Sequence, residues 1–273
     1  MVHQSKVEIT KATLVCAFLL LLAVSGISAS KTVHARTPQL ALDGVGVTPS
    51  DWPFHHGVKS QLLNTTRGND VIVLIVEIGP VLSIIDSSGL NFTQRVSYQG
   101  ILEYYARATS PLRSDNITVV CHCMPFAGMQ VLAVRGANTR AIFDASPSIP
   151  SLVSCPFSPG EGAYVCASPG YGECLANGLG DCAVSIQTST IDFVIAATAI
   201  NDAGGCRQPP GFTRITSPSF RSSTFSSIFE VDYSITTVPQ TTVTFHCIGT
   251  DAVAIIVDAI SFNGRIGGRT AGF

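Results

Sequence analysis

The stretch ITVVCHC, residues 117–123, sets two cysteines around one histidine. Three chemistries use such a trio: zinc ligation, a copper site completed by the nearby Met124 or Met129, and thiol–disulfide exchange. Ligation requires the side chains to converge on one point. Along an extended strand, successive side chains point to opposite faces. Ile117, Val119, Cys121 and Cys123 then share one face, and Thr118, Val120 and His122 the other. The cysteines are expected to look inward and the histidine outward, so no metal and no cofactor is expected here. Cys121 and Cys123 are too far apart along one face to bond each other without distortion. Each is expected to find its partner in Cys206 or Cys247.

Carboxylates offer the next chemistry. Glycoside hydrolysis needs two placed acids, and concanavalin-like glucanases carry E-x-D-x-x-E along one strand. In FEVDYSI, Glu230 and Asp232 fall on one face, but Ser234 and Ile235 stand where a third acid would fall. ILEYYARA has Glu103 at the place of Glu230, which suggests a structural role copied by duplication. No catalytic residue is therefore assigned. Glu103, Tyr105 and Arg107, with Glu230 and Asp232, are read as outward-facing candidates for ligand binding, most naturally to a glycan. The alternative is an ordinary solvated strand face.

These residues sit on strands throughout. Short runs rich in Val, Ile, Thr, Phe and Tyr alternate with Gly, Pro, Ser, Asn and Asp, and no helical stripe is sustained. Strands are expected near 54–62, 71–77, 81–86, 90–97, 101–108, 116–123, 129–136, 191–199, 212–217, 227–235, 241–247 and 252–261. The apolar stretch VIVLIVEIGPVLSII is broken by Glu77, Gly79 and Pro80, so it reads as strand, turn, strand rather than a membrane span. The chain also repeats itself in order. DVIVLIVEI from Asp70 matches DFVIAATAI from Asp192, ILEYYARA resembles IFEVDYSI, ITVVCHC matches TVTFHC, and MQVLAVRGA resembles AVAIIVDAI. The expected fold is all-β: a jelly-roll-like antiparallel β-sandwich spanning 54–273, built from two pseudo-repeat halves, about 70–137 and 192–260, around a Cys-rich insertion at 155–182.

The compartment follows from the N-terminus and the cysteines. Lys6 and Lys11 precede the short apolar run ATLVCAFLLLLAVSGI, which ends in small residues, the layout of a secretory signal over 1–29 with cleavage after Ala29. An uncleaved anchor is the alternative. Residues 30–53 read as an N-terminal extension, either a loose linker or a donor strand, with Trp52 beside Pro53 plugging a core edge. His55 and His56 face opposite ways and cannot share a metal. Eight cysteines remain after Cys16, an even number in an exported chain. Cys155, Cys166, Cys174 and Cys182 are expected to staple the Gly- and Pro-rich insertion by two disulfides, with three pairings open. Asn64, Asn91 and Asn116 each begin an N-x-T sequon, an acceptor for N-glycosylation or simply a polar strand or turn position. Charged residues make up 12% of the chain and the net charge is -2, which leaves no basic stripe for nucleic acid.

The order DVIVLIVEI, SIIDSSGLNFTQRVS, ILEYYARATSPL, NITVV, MQVLAVRGANTRAIFD resembles exported jelly-roll, concanavalin-like repeat proteins of archaea and environmental bacteria, over roughly residues 54 to 262. Phe92 stands where that pattern usually has another aromatic, often Trp, and the four-cysteine loop and CHC are additions. The resemblance implies the fold and carries no activity, since the family has none assigned. The expected function is therefore a secreted or cell-surface, non-catalytic module for binding or adhesion, its partner a glycan or a cell-envelope component. A self-associating structural subunit of a surface layer or filament is the alternative, and a glycoside-active enzyme stands behind both.

Overall fold

The computed structural model describes residues 39–48, 57–77, 79–122, 128–155, 181–200, 206, 209–217, 219–221, 226–248 and 253–264. The signal segment, Trp52, His55, His56, Cys123, Met124, Cys166 and Cys174 lie outside these residues. Sixteen strands follow in order: β1 (Ala41–Val45), β2 (Val58–Leu63), β3 (Asp70–Glu77), β4 (Val81–Ile85), β5 (Thr93–Tyr98), β6 (Ile101–Ala108), β7 (Asp115–Cys121), β8 (Met129–Arg135), β9 (Ser151–Cys155), β10 (Asp181–Gln187), β11 (Asp192–Ile200), β12 (Thr213–Thr216), β13 (Ser219–Arg221), β14 (Ser226–Ile235), β15 (Thr242–Ile248) and β16 (Val253–Ser261). All pairings between them are antiparallel. Among the described residues there is no helix, and so none long and apolar enough to cross a membrane.

Four sheets stack with three apolar layers between them. The first large sheet runs β1-β8-β3-β6-β5, and the second runs β9-β16-β11-β14-β12 with β13 also on β14. Val71, Val73, Ile75, Leu132 and Val134 of the first meet Phe193, Ile195, Phe229, Val231 and Ile256 of the second in a central layer. The small sheet β2-β7-β4 covers the other face of the first large sheet through Leu63, Ile117 and Val119, packed on Ile72, Leu74 and Met129. The pair β10-β15 covers the second through Val184, Ile186 and Phe245, packed on Val194, Ile255 and Val257. In strand order, β9, β16, β11 and β14 stand as β1, β8, β3 and β6 do.

This layering explains the sequence patterns. β3 and β16 are buried at every position because both faces are covered. Such strands read as continuous Val and Ile runs, not as alternation. The outer strand β7 alternates buried and open residues, since only one face meets the core. The sandwich expected from the repeat thus has twice the number of layers of a simple two-sheet sandwich.

Pro38–Phe273 forms one compact unit. The folded unit therefore begins before residue 54. Within the expected extension, Ala41–Val45 forms β1 and pairs with β8 of its own chain. The small β9 and β10, hidden at the ends of the Cys-rich insertion, and the three-residue β13 were likewise not apparent from the pattern.

Candidate functional site

The surface expected on β6 and β14 does not form. β6 pairs with β3 so that Glu103 lies opposite Ile75, and Tyr105 opposite Val73, on the face toward the central layer. Glu103 is 1% exposed and Tyr105 half-buried, while Arg107, near the strand end, is exposed. Glu230 and Asp232 are also buried, but on the opposite face of their sheet, since their neighbours Phe229 and Val231 fill the central layer. The five candidates are therefore not brought together.

The reason is a one-residue offset between the halves. Asp70 and Asp192 head matching strands, so Ile75 corresponds to Ala197. Their cross-strand partners are Glu103 and Val231. Glu103 thus stands in the place of Val231, not of Glu230, and a shift by one turns a side chain to the other face. Tyr105 and Tyr233, opposite Val73 and Ile195, are the true counterparts.

Glu103 belongs to a buried ionic cluster that spans the central layer. Arg95 on β5 donates from Nε to Asp258 Oδ2 on β16 at 2.8 Å, and from Nη2 to Asp258 Oδ1 at 3.3 Å. Its guanidinium lies over the Phe143 ring at 4.1 Å, and Phe143 meets Tyr105 edge-on at 5.0 Å. Burial pushes the Glu103 carboxyl well above the carboxylate range, Asp258's charge adds to this, and Arg95 only partly offsets it. Asp258 is also raised, first by burial, against the Arg95 bond and the donating Ala259 N–H. Burial opposes the charge on Arg95, yet the bond and charge of Asp258 hold its pKa above the ordinary value.

Arg214 on β12 organises the second cluster. It binds Glu230 Oε2 at 3.0 Å and Asp232 Oδ1 at 3.2 Å, and donates to the Cys206 carbonyl at 2.9 Å. Ser217 Oγ donates to Glu230 Oε1 at 2.7 Å, and the Cys206 N–H to Oε2 at 3.1 Å. Burial raises both carboxyls, with Arg214 pulling each back down. Both Glu230 oxygens are therefore engaged inside the protein, and the cluster holds the backbone of Cys206.

Cys206 bonds Cys247 on β15, and Cys155 on β9 bonds Cys182 on β10. Cys121 is buried in the first-half core and disulfide-bonded, but its expected partners are taken by each other. That expectation is corrected: the register places Cys206 and Cys247 together in the β10-β15 core, while Cys121 sits two layers away under β2-β7-β4. Cys155–Cys182 closes the insertion at its two ends. His122 is exposed and His246 partly so, on the outward side of β7 and β15. Among the described residues, no group of three or more His, Cys, Asp or Glu could hold a metal ion.

Asn64, Asn91 and Asn116 are all exposed. Asn64 follows β2 and accepts from the Ser114 N–H at 2.8 Å, just before β7 begins. Asn116 lies opposite Leu62, and its N–H donates to Ser87 Oγ at 3.0 Å. Asn64 and Asn116 therefore lie at the same end of the small sheet, with the β4–β5 loop that carries Asn91 tied to it through Ser87.

Arg95, Asp258 and Arg214 were missed from the sequence because each is isolated within its own strand. The one available signal was a charge inside an apolar run, as for Asp258 in VAIIVDAIS. No family model, curated protein or solved structure matches the chain.

Proposed function

We propose that this chain is an exported, non-catalytic module for binding or adhesion at a cell envelope, built from two jelly-roll halves fused back to back. The observation that carries this reading is the use made of its acids. Glu103, Glu230, Asp232 and Asp258 are all buried, and three of them are bound to arginine within the fold. Asp258 joins the two large sheets through Arg95, and Glu230 and Asp232 hold Arg214 within the second. What the protein offers outward is strand surface: Val58, Leu82, Ile85, His122 and the sequon asparagines. Two disulfides fit an oxidising setting. The matched strand order of the large sheets supports duplication and the likeness to exported jelly-roll repeat proteins. The first partner class is a glycan or another envelope component, and the three sequons make the chain a glycoprotein.

A second reading, a structural subunit, is favoured by β4. This margin of the small sheet is uncharged and exposes Leu82 and Ile85. Uncharged edge strands invite pairing with another chain.

The test is to secrete the full chain, incubate it with insoluble polysaccharides and cell-envelope fractions, and run sedimentation on the same sample. Saturable retention by one of them, with a monomer in solution, supports the binding module. Polymer formation without retention supports the structural subunit. Release of reducing sugar, lost in Glu230→Gln, overturns both.

A further inference from the structure

Two pairs of aspartates occupy matching places in the two halves, and neither belongs to the clusters above. In the first half, Asp43 sits at the bulge of β1, where pairing with β8 shifts between Leu42 and Gly44. A bulge re-aims the side chain it carries. Asp43 Oδ2 accepts from the N–H groups of Thr66 at 2.6 Å and Arg67 at 3.2 Å, and Oδ1 from Thr66 Oγ1 at 2.5 Å. Asp70, the first residue of β3, is fully buried beside it, and its carboxyl hydrogen-bonds that of Asp43. No N–H or O–H group donates to either Asp70 oxygen.

The second half repeats the arrangement. Asp144, on the segment leading into β9, accepts from the N–H groups of Ser189 at 2.7 Å and Thr190 at 3.0 Å, and from Ser189 Oγ at 2.7 Å. Asp192, the first residue of β11, is fully buried and hydrogen-bonds Asp144. Its Oδ1 accepts from Thr190 Oγ1 at 2.8 Å, and its Oδ2 has no other partner. In both halves one acid takes the turn's N–H groups, and the other heads the central strand.

Two carboxyl oxygens can lie in hydrogen-bond contact only if a proton sits between them or a cation neutralises them. The donors decide who holds the proton. Asp43 and Asp144 receive N–H and O–H bonds that suit an anion, and Asp70 and Asp192 do not. We propose that each half is closed by a proton-sharing latch, Asp70 donating to Asp43 and Asp192 to Asp144, which ties the half's leading segment and its turn to the head of its central strand and opens when the proton is lost.

The charges around each latch agree with this. Burial, then the charge of Asp43 and the bond to it, raise Asp70 to about 7, against Arg135 and Arg67. Burial, then the bond and charge of Asp144, raise Asp192 to about 7, against the Thr190 bonds. Asp43 and Asp144 stay low because their bonds outweigh burial. Arg135 and Arg67 face the first latch; in the second, Asp144 is the charge that acts on Asp192, and it also raises Asp258. A raised folded-state pKa stabilises the latch at pH below the ordinary carboxylate value, and that stability is lost as pH climbs to about 7. The depressed acids act oppositely, so the latch is strongest in mildly acidic solution. Opening frees β1, a margin strand, from β8.

The test is hydrogen exchange of the exported full-length protein, corrected for intrinsic rates, between about pH 5 and about pH 8.5. The expected result is a loss of protection of about tenfold or more at β1 and at the 188–191 turn as pH rises through neutrality. Asp70→Asn should abolish the pH dependence at β1 alone, and Asp192→Asn at the 188–191 turn alone, because an amide donates at every pH. Carbon-13 titration of aspartate carboxyls in the unaltered protein tests the same point should either variant fail to fold: two carboxyls must titrate near neutrality. Flat protection across pH, or two carboxyls titrating in the ordinary range, overturns the latch. So does protection at high pH restored by calcium chloride in the wild type but not in Asp192→Asn, which would make the pair a cation site.

Discussion

Arg95 on β5 and Asp258 on β16 join the two large sheets through a bond of 2.8 Å across the central layer. The two residues are 163 apart in the chain, so the contact exists only when both halves have folded and docked. Burial and the charge of Asp258 raise the Glu103 carboxyl beside it. Removing one member of such a buried pair strands the other.

Arg95→Met is accordingly expected to cost about 3–5 kcal/mol in urea unfolding at neutral pH. Asp258→Asn in the same background should recover much of that loss. At acidic pH the cost of Arg95→Met should shrink, since Asp258, already raised, can then take up a proton. A pH-independent cost would mean the charge is not what matters.

Glu77 and Lys59 should shape the pH profile of stability around neutrality. Burial raises Glu77 to about 7, against its bonds from Ser227 and Gly128 and the charge of Lys59. Burial lowers Lys59 to about 8, against the charge of Glu77. A raised acid loses its contribution as pH climbs to about 7, and a lowered lysine regains stability as pH climbs above about 8. A trough between the two is the expected shape in thermal melts. Glu77→Gln should lift stability at and above about pH 7 by on the order of 3 kcal/mol or less and leave the acidic limb unchanged, because Ser227 Oγ can turn to accept from the amide.

Gly128 should tolerate no side chain. A Cβ there would overlap the ring of Phe229, which is fully buried in the central layer, and Gly128 N–H also donates to Glu77 Oε2. Gly128→Ala is expected to destabilise by about 1–3 kcal/mol. Phe229→Leu combined with it should cost less than the two changes separately. Additive losses in a double-mutant cycle would show that the ring is not the obstacle.

The Cys206–Cys247 bond closes a separation of 41 residues, and Cys155–Cys182 one of 27. Constraining the unfolded chain over such loops contributes about 3–4 kcal/mol each. Cys206→Ala with Cys247→Ala should lower the melting temperature under non-reducing conditions and leave little further effect of a reductant on that bond. An unchanged melting temperature would place the stability of this half in its apolar layer alone.

Much of this fold was legible in the chain. Twelve strands were visible as apolar runs between turns. The inward turn of Cys121 and outward turn of His122 followed from alternation alone. What alternation cannot reveal is which faces meet which. ILEYYARA and IFEVDYSI align by eye on their glutamates, yet pairing with β3 and β11 sets them one residue apart. That single step puts Glu103 and Glu230 on different faces, and the layers on both sides of each large sheet bury them both. The aspartate latches were equally hidden, because Asp43 and Asp70 come together through a bulge and a turn, not through a spacing.

Two of the disulfides limit how the chain can run out under load. Cys155–Cys182 and Cys206–Cys247 withhold spans of 27 and 41 residues from stretching. At about 3.4 Å per residue these are roughly 90 and 140 Å of chain that tension cannot extend. The first half begins with β1, five residues joined to β8 and tied by Asp43 to a turn. Pulled from its N-terminal side, the protein would yield there first, strand by strand. The second half would hold like a knot of fixed length, and reduction would be needed before it could run out.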